Sequence, residues 1–196
     1  MRSIIRELIE TAILVLVIFL GLQFTIQNFR VEGSSMQSTL EENQYLLANK
    51  LIYFRITPQA IIDLLPFKDT EWEGPFFAFH PPRRGEVIIF RFPKDESREF
   101  VKRVIGISGD TVEIRLGKVF VNGVQLDEPY VSHQDRRTMA SVRVGPDSYF
   151  VMGDNRRASH DSRAWGTVPL RLVVGKAWMS YWPLDRINLI KSSGPD

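Results

Sequence analysis

A long apolar run near the start of the chain dominates its hydrophobic pattern. Residues 11–29 carry no charged side chain, and most positions through Leu22 are Leu, Val, Ile or Phe. The run is about as long as the roughly 20 residues that cross a bilayer core. Because it is apolar all round through Leu22, the pattern favours a helix in lipid over one buried in a soluble core. We therefore predict a membrane anchor within residues 1–29.

A cleaved signal peptide is the other interpretation of this run. Glu7 and Glu10 interrupt the basic leader that such a peptide needs, and no small-x-small cleavage site follows the apolar residues. Arg2 and Arg6 favour a cytoplasmic N-terminus under the positive-inside rule. We expect a single-pass membrane protein in which residues 30–196 form an extracytoplasmic domain.

Beyond the anchor, the pattern changes to short apolar and β-branched segments separated by turn residues. These segments predict β-strands: GEVIIFRF from residue 85, EFVKRVIGI from 99, DTVEIRL from 110, KVFVNG from 118, SVRVG from 141 and SYFVMGD from 148. Asn122 and Gly123 between valines predict a hairpin, since a type I′ turn needs positive φ at both central positions. The predicted fold is mostly β: an N-terminal transmembrane helix followed by an antiparallel β-sheet domain.

Helix is expected to be a minor component of this domain. Residues 58–65 predict one short helix, and Thr39 with Glu42 offers a capping box. Residues 72–82 combine aromatic residues with Gly and Pro, which predicts a loop. That loop is either an ordinary packed one or an apolar surface that contacts the bilayer.

Composition excludes several classes of function. The net charge is +2, with 25 basic and 23 acidic residues mixed along the chain, so nothing indicates a nucleic-acid surface. The absence of cysteine excludes disulfides, thiol catalysis and thiolate metal sites. His80, His133 and His160 have no metal-ligand spacing, and no Gly-rich phosphate loop occurs. We expect no metal, no cofactor and no nucleic-acid partner.

Three local sequences carry the candidate chemistry. They are VEGSSMQSTL from Val31, REFVKRVIGISGDTVEI from Arg98 and GDNRRASHDSRAWGTVP from Gly153. In this order after one anchor, they resemble type I signal peptidases, the membrane serine endopeptidases with a Ser/Lys dyad. The resemblance extends from the anchor to near Trp182, and we expect residues 55–82 and 116–148 to be variable insertions.

The resemblance implies that Ser35 is the nucleophile, rather than the adjacent Ser34, and that Lys102 is its base. A lysine of ordinary pKa, about 10.4, is neutral only about once in 2,500 at pH 7, but desolvation lowers that pKa by up to about 3 to 5 units. If EFVKRVIG is a strand, alternation places Phe100 and Val104 on the face of Lys102 and gives it apolar neighbours. We therefore expect Lys102 to be buried.

The resemblance also implies supporting roles. The Ser159 hydroxyl would hold the Lys102 ammonium, and Asp161 and Arg163 would support the site through ion pairing. Substrate-binding positions are expected at Gly33, Ser34, Met36, Phe100 and Val101. The chain departs from the family pattern at Gly33, where many members carry a hydroxyl donor to the oxyanion, and at Ser38, where proline is usual. Only the Ser35 backbone N–H can be named as an oxyanion donor.

Other interpretations compete with this one. His160 could form a triad with Ser35 and Asp161, although the lysine in FVKRVIG makes it more simply a loop residue. A self-cleaving repressor shares the dyad, but its DNA-binding region would replace the anchor. A third interpretation is an inactive membrane-tethered adaptor that binds exported proteins.

The function implied by the resemblance is removal of signal peptides from exported preproteins after a small-x-small motif. Its mechanism would pass through an acyl-enzyme intermediate. We expect a monomer in the cell membrane or, in an organelle, the thylakoid membrane, with preproteins and the lipid bilayer as its partners.

Overall fold

The computed structural model describes residues 2–56, 76–77 and 79–193. The chain begins with helix α1 (Arg2–Thr25). Its segment Ile4–Thr25 has a mean hydropathy of 2.2, is not buried against the rest of the protein, and is long and apolar enough to cross a membrane. The helix lies within residues 1–29, where the anchor is predicted, and extends from residue 2 to residue 25. The helix begins before the uncharged run, with Arg6 and Glu10 paired one turn apart, and residues 26–29 belong to a strand.

The regular structure in the rest of the described chain is mainly antiparallel strands. They are β1 (Ile26–Arg30), β2 (Tyr45–Asn49), β3 (Arg55–Ile56), β4 (Phe76–Phe77), β5 (Val87–Phe92), β6 (Asp95–Gly106), β7 (Thr111–Arg115), β8 (Lys118–Val121), β9 (Val124–Gln125), β10 (Met139–Arg143), β11 (Ser148–Met152), β12 (Val168–Pro169), β13 (Val173–Trp182) and β14 (Asn188–Leu189). A one-turn helix, α2 (Ser162–Trp165), follows Asp161. Short 3₁₀ turns lie at Leu51–Tyr53, Leu170–Leu172 and Leu184–Arg186.

The strands form one large sheet and two smaller ones. The large sheet has the order β1-β2-β13-β5-β6-β11-β12, with β14 beside β13, and a second sheet has the order β10-β7-β8-β9. Strands β3 and β4 pair separately. The predicted fold class, mostly β with one N-terminal apolar helix, is confirmed.

The local predictions have mixed outcomes. All six predicted strand segments contain strands, and Asn122 and Gly123 have φ of 53° and 83° in the β8–β9 hairpin. The capping box is wrong, because Thr39 lies in a turn and its hydroxyl donates to Asp154 at 2.5 Å. The predicted helix at 58–65 lies outside the described residues. So does most of 72–82, and the bilayer contact suggested there stays a prediction.

Strand β5 separates two layers of the core. Ile88 and Phe90 belong to a cluster on one face, and Val87 and Ile89 belong to a cluster on the other. Burial on both faces explains why this strand is a continuous apolar run rather than an alternating one. Because β5 pairs with β6, the strand that carries Lys102 is held against the centre of the sheet.

Candidate active site

The turn after β1 carries Ser35. Val31 and Met36, on either side of it, are 2% and 1% exposed and pack in the same core cluster. Gly33 has a φ of 80°, in the left-handed region that favours glycine. The Ser35 carbonyl accepts a hydrogen bond from the Asn155 backbone N–H at 3.0 Å. The turn is therefore anchored from both ends and from the neighbouring loop.

Lys102 lies in β6, opposite Ile88 of β5. Its side chain is only 4% exposed, as the alternation predicts. The Lys102 Nζ donates hydrogen bonds to Ser35 Oγ at 2.7 Å and to the Val101 carbonyl at 2.8 Å, and it lies 5.4 Å from the centroid of the Phe100 ring. The two residues expected to form the dyad are in direct contact.

The environment of Lys102 changes its protonation. Burial lowers the pKa of Lys102 to about 8, against the opposing influence of the Asp161 and Asp154 carboxylates. At that pKa about one lysine in ten is neutral at pH 7, compared with about one in 2,500 for an ordinary lysine. Desolvation thus supplies a population of neutral amine that can act as a base.

A buried ion pair next to the dyad was not expected from the sequence. Arg103 and Asp154 are 1% and 0% exposed, and they form a two-point contact at 2.9 and 2.7 Å. Arg103 also donates to Thr39 Oγ1 at 3.1 Å and to the Gly85 carbonyl at 2.7 Å. One guanidinium therefore joins all three local sequences. The signal that could have revealed it is a charge within an apolar strand, since a buried charge needs a partner.

Gly153 brings the third local sequence against the nucleophile. A Cβ atom at this position would lie 2.4 Å from the Ser35 carbonyl oxygen and 2.3 Å from Ser159 Oγ. Its backbone N–H donates to Asp161 at 3.0 Å. Only a residue without a side chain allows this close approach, so the Gly153 turn positions Ser35 in addition to forming a β-turn.

The supporting residues lie beside this turn. Burial alone would raise the pKa of Asp161, but hydrogen bonds and charge from Arg163 hold it below its usual value. Arg163 also donates to Asp135 at 2.6 Å. Ser159 lies close enough to help lower the pKa of Asp161, yet its hydroxyl makes no hydrogen bond of good geometry to any described residue. Its predicted bond to Lys102 stays a prediction.

His160 is exposed and lines the cleft described below. Its ring packs edge-on against Phe92, with 6.0 Å between centroids. The Asp161 carboxylate is bound by Arg163 and by the Gly153 N–H. The contact to Ser35 Oγ comes from Lys102. This arrangement favours the lysine over a histidine triad.

A cleft of about 500 Å³ opens in front of the dyad. Its lining is Phe29, Arg30, Val31, Glu32, Gly33, Ser34, Ser35, Leu46, Ile89, Arg98, Glu99, Phe100, Val101, Lys102, Ala158 and His160. Four of the five predicted substrate-binding residues are in this set. Met36 is not, because its side chain packs in the core with Leu40. No metal-binding cluster of His, Cys, Asp and Glu occurs within residues 2–56, 76–77 and 79–193.

Comparison with known proteins places the chain in a family. Residues 4–182 match the profile described as signal peptidase, peptidase S26. The chain is 32% identical over 195 residues to signal peptidase I of Leptolyngbya laminosa, covering 95% of this chain and 84% of that protein. It is 31% identical over 161 residues to thylakoidal processing peptidase 1 of Arabidopsis thaliana, covering 81% and 42%. A solved signal peptidase I from Enterococcus faecalis is 35% identical, with a TM-score of 0.44, covering 50% of this chain and 97% of the other. The chain belongs to the signal peptidase family, peptidase S26.

Proposed function

We propose that this signal peptidase is a membrane-bound endopeptidase that cleaves preproteins after a small-x-small motif, with Ser35 as nucleophile and Lys102 as general base. The observation that carries the proposal is the 2.7 Å contact between Lys102 Nζ and Ser35 Oγ. Burial lowers the pKa of Lys102 to about 8, so part of the lysine population is neutral at pH 7 and can accept the Ser35 proton across that contact. A charged lysine could only donate to the hydroxyl, whereas a neutral one accepts its proton.

The reaction is an acyl transfer in two halves. Ser35 Oγ attacks the scissile carbonyl carbon while Lys102 Nζ takes the hydroxyl proton, and the Ser35 backbone N–H stabilises the resulting oxyanion. Nζ then gives the proton to the leaving amine as the C–N bond breaks, which leaves an ester on Ser35. A water molecule attacks that ester, with Lys102 again accepting and returning one proton.

The cleft is suited to an extended peptide. It lies between residues 29–35, which lead into the nucleophile, and residues 98–102 of β6. On its side away from β5, β6 pairs with β11 only from Arg103 onward among the described residues. Apart from the Val101 carbonyl, which accepts from Lys102 Nζ, the backbone groups of residues 98–101 on that side are thus available to a substrate strand. Backbone pairing supplies affinity, and shallow pockets beside it select small side chains.

The apolar helix gives the enzyme its location. We infer that α1 crosses the membrane with its N-terminus in the cytoplasm and the β-domain on the other side. Signal peptides are themselves held at the membrane, so anchoring both partners confines them to one surface and raises their effective concentration. The thylakoidal relative extends the same expectation to organellar membranes.

Cleavage of a preprotein with an Ala-x-Ala site by the detergent-solubilised full chain tests the proposal. We expect Ser35→Ala and Lys102→Ala to abolish cleavage. Ser34→Ala and His160→Ala should retain it, with at most a change in KM, because both residues line the cleft without touching the proposed proton transfer. Mass spectrometry of the products locates the cut. Cleavage that survives Lys102→Ala but requires His160 would show that the base is wrongly assigned.

A further inference from the structure

Residues 128–137, here called the strap, connect the second sheet to the back of the active site. They follow β9 and precede β10, within a region expected to be a variable insertion. The Tyr130 carbonyl accepts a hydrogen bond from Ser38 Oγ at 2.7 Å, and Ser132 Oγ donates to the Gln37 carbonyl at 3.3 Å. The His133 carbonyl accepts from the Arg156 backbone N–H at 3.1 Å. The strap thus contacts both the turn that carries Ser35 and the turn that carries Gly153.

Glu128 is the first side chain of the strap to reach this region. It is 5% exposed and pairs with Arg156, which is 1% exposed, through contacts of 2.5 and 3.2 Å. The Arg156 Nε donates to the Gly153 carbonyl at 3.0 Å. Because Gly153 packs directly against Ser35, the Glu128 carboxylate restrains the turn that carries Ser35 through Arg156 and Gly153.

Tyr130 contacts the residue next to the other member of the dyad. Its ring lies 4.0 Å from the Cζ of Arg103, the residue that follows Lys102 in β6. Its hydroxyl donates to Glu128 at 3.1 Å. An arginine stacked on an aromatic face and held by a carboxylate loses most of its freedom to move. Tyr130 therefore restrains the backbone on which Lys102 is mounted.

We propose that Glu128 and Tyr130 are positioning residues, which act through Arg156 and Arg103 to hold Ser35 Oγ and Lys102 Nζ at reacting distance. The inference rests on the dyad proposed above. Neither strap residue lines the cleft or touches the reacting atoms, so their loss should lower kcat and leave KM nearly unchanged. A displacement of about 1 Å at a reacting pair costs up to about 100-fold in rate.

The test compares Glu128→Gln and Tyr130→Leu with matched variants of a second buried pair. Tyr53 donates to Glu86 at 2.7 Å, and Glu86 also accepts from the Lys176 ammonium and the Arg83 backbone N–H. Glu86→Gln and Tyr53→Leu therefore remove a buried carboxylate and a buried tyrosine ring, as the strap variants do, but at a place distant from the turns that carry Ser35 and Gly153. Denaturant unfolding gives the stability lost in all four variants, and preprotein cleavage gives kcat and KM.

We expect the strap variants to lose 10- to 100-fold in kcat at unchanged KM, while the control variants lose similar stability and keep kcat within about two-fold. The pH profile adds a readout that stability alone does not move. A loosened Lys102 is better hydrated, so its pKa rises and the midpoint of the activity profile moves to higher pH in Tyr130→Leu. Tyr130→Phe, which keeps the ring over Arg103, should keep that midpoint.

The outcomes separate the two proposals. If Ser35→Ala or Lys102→Ala still cleaves like the wild type, the dyad itself is wrong. If the dyad is required but the strap variants keep wild-type kcat and pH midpoint, or lose no more kcat than the Glu86 and Tyr53 controls, the positioning role is overturned. Losses of kcat confined to the strap variants, with the shifted midpoint, support it.

Discussion

Replacing Gly153 by alanine should disable the enzyme without unfolding it. The added Cβ would lie 2.4 Å from the Ser35 carbonyl oxygen and 2.3 Å from Ser159 Oγ. Ordinary contact distances are about 1 Å longer, so the two turns must separate by roughly that amount. The Ser159 side chain can rotate, but the Ser35 carbonyl is backbone, hydrogen-bonded to Asn155. The nucleophile must therefore move.

A shift of about 1 Å at the nucleophile corresponds to a loss of up to about 100-fold in kcat. Single-turnover cleavage of a preprotein measures this loss, and thermal unfolding verifies that the variant is folded. Gly145→Ala is the matched control, because a Cβ there has no atom within 4 Å. A folded Gly153→Ala variant with kcat within two-fold of the wild type would refute the reasoning.

Three further predictions concern protonation, the buried ion pair and the hairpin. Because the active form has neutral Lys102, kcat/KM should rise with pH through a midpoint near 8; a midpoint near 10 would contradict a buried base. Asp154→Asn leaves the Arg103 charge without its partner and should lower the free energy of urea unfolding by about 3 to 5 kcal/mol. Glu96→Gln, in an exposed pair, should lower it by under about 1 kcal/mol. Equal losses in the two variants would refute the distinction between buried and exposed pairs. Gly123→Ala, at a φ of 83°, should cost about 1 kcal/mol of stability with unchanged kcat; a fall in kcat would link this hairpin to catalysis.

The strands were predictable where alternation or β-branched residues dominate, as in β5 to β8. Strand β1 was not, because its residues continue an uncharged run that began in the helix. Hydropathy measures transfer into lipid, and it does not record where backbone hydrogen bonding changes from helix to sheet. The uncharged run also did not show how far the helix extends before it, because Arg6 and Glu10 are unsuited to a bilayer core but well suited to a helix.

The candidate site also has features that the sequence predicts and features that it does not. Burial of Lys102 followed from strand alternation, whereas its contact with Ser35, 67 positions away, depends on how distant segments pack. The burial of Arg103 with Asp154 and the fit of Gly153 against Ser35 arise from the same packing. No local pattern encodes such contacts, although a charge among apolar strand residues indicates that a partner exists. The contacts of the strap were the least predictable from the sequence, because its residues resemble an ordinary loop.

The junction between α1 and β1 contains no flexible linker. The helix ends at Thr25 and the strand begins at the next residue, while the Thr25 carbonyl accepts the Lys50 backbone N–H at 2.8 Å and ties the junction to the sheet. If α1 crosses the membrane as proposed, a junction without a flexible linker, followed by a strand that rises about 3.4 Å per residue, holds the nucleophile at one height above the bilayer. We expect the length of polar chain between a signal peptide's apolar segment and its cleavage site to match that height. On this expectation, substrate choice depends on distance from the membrane as well as on the side chains at the cut.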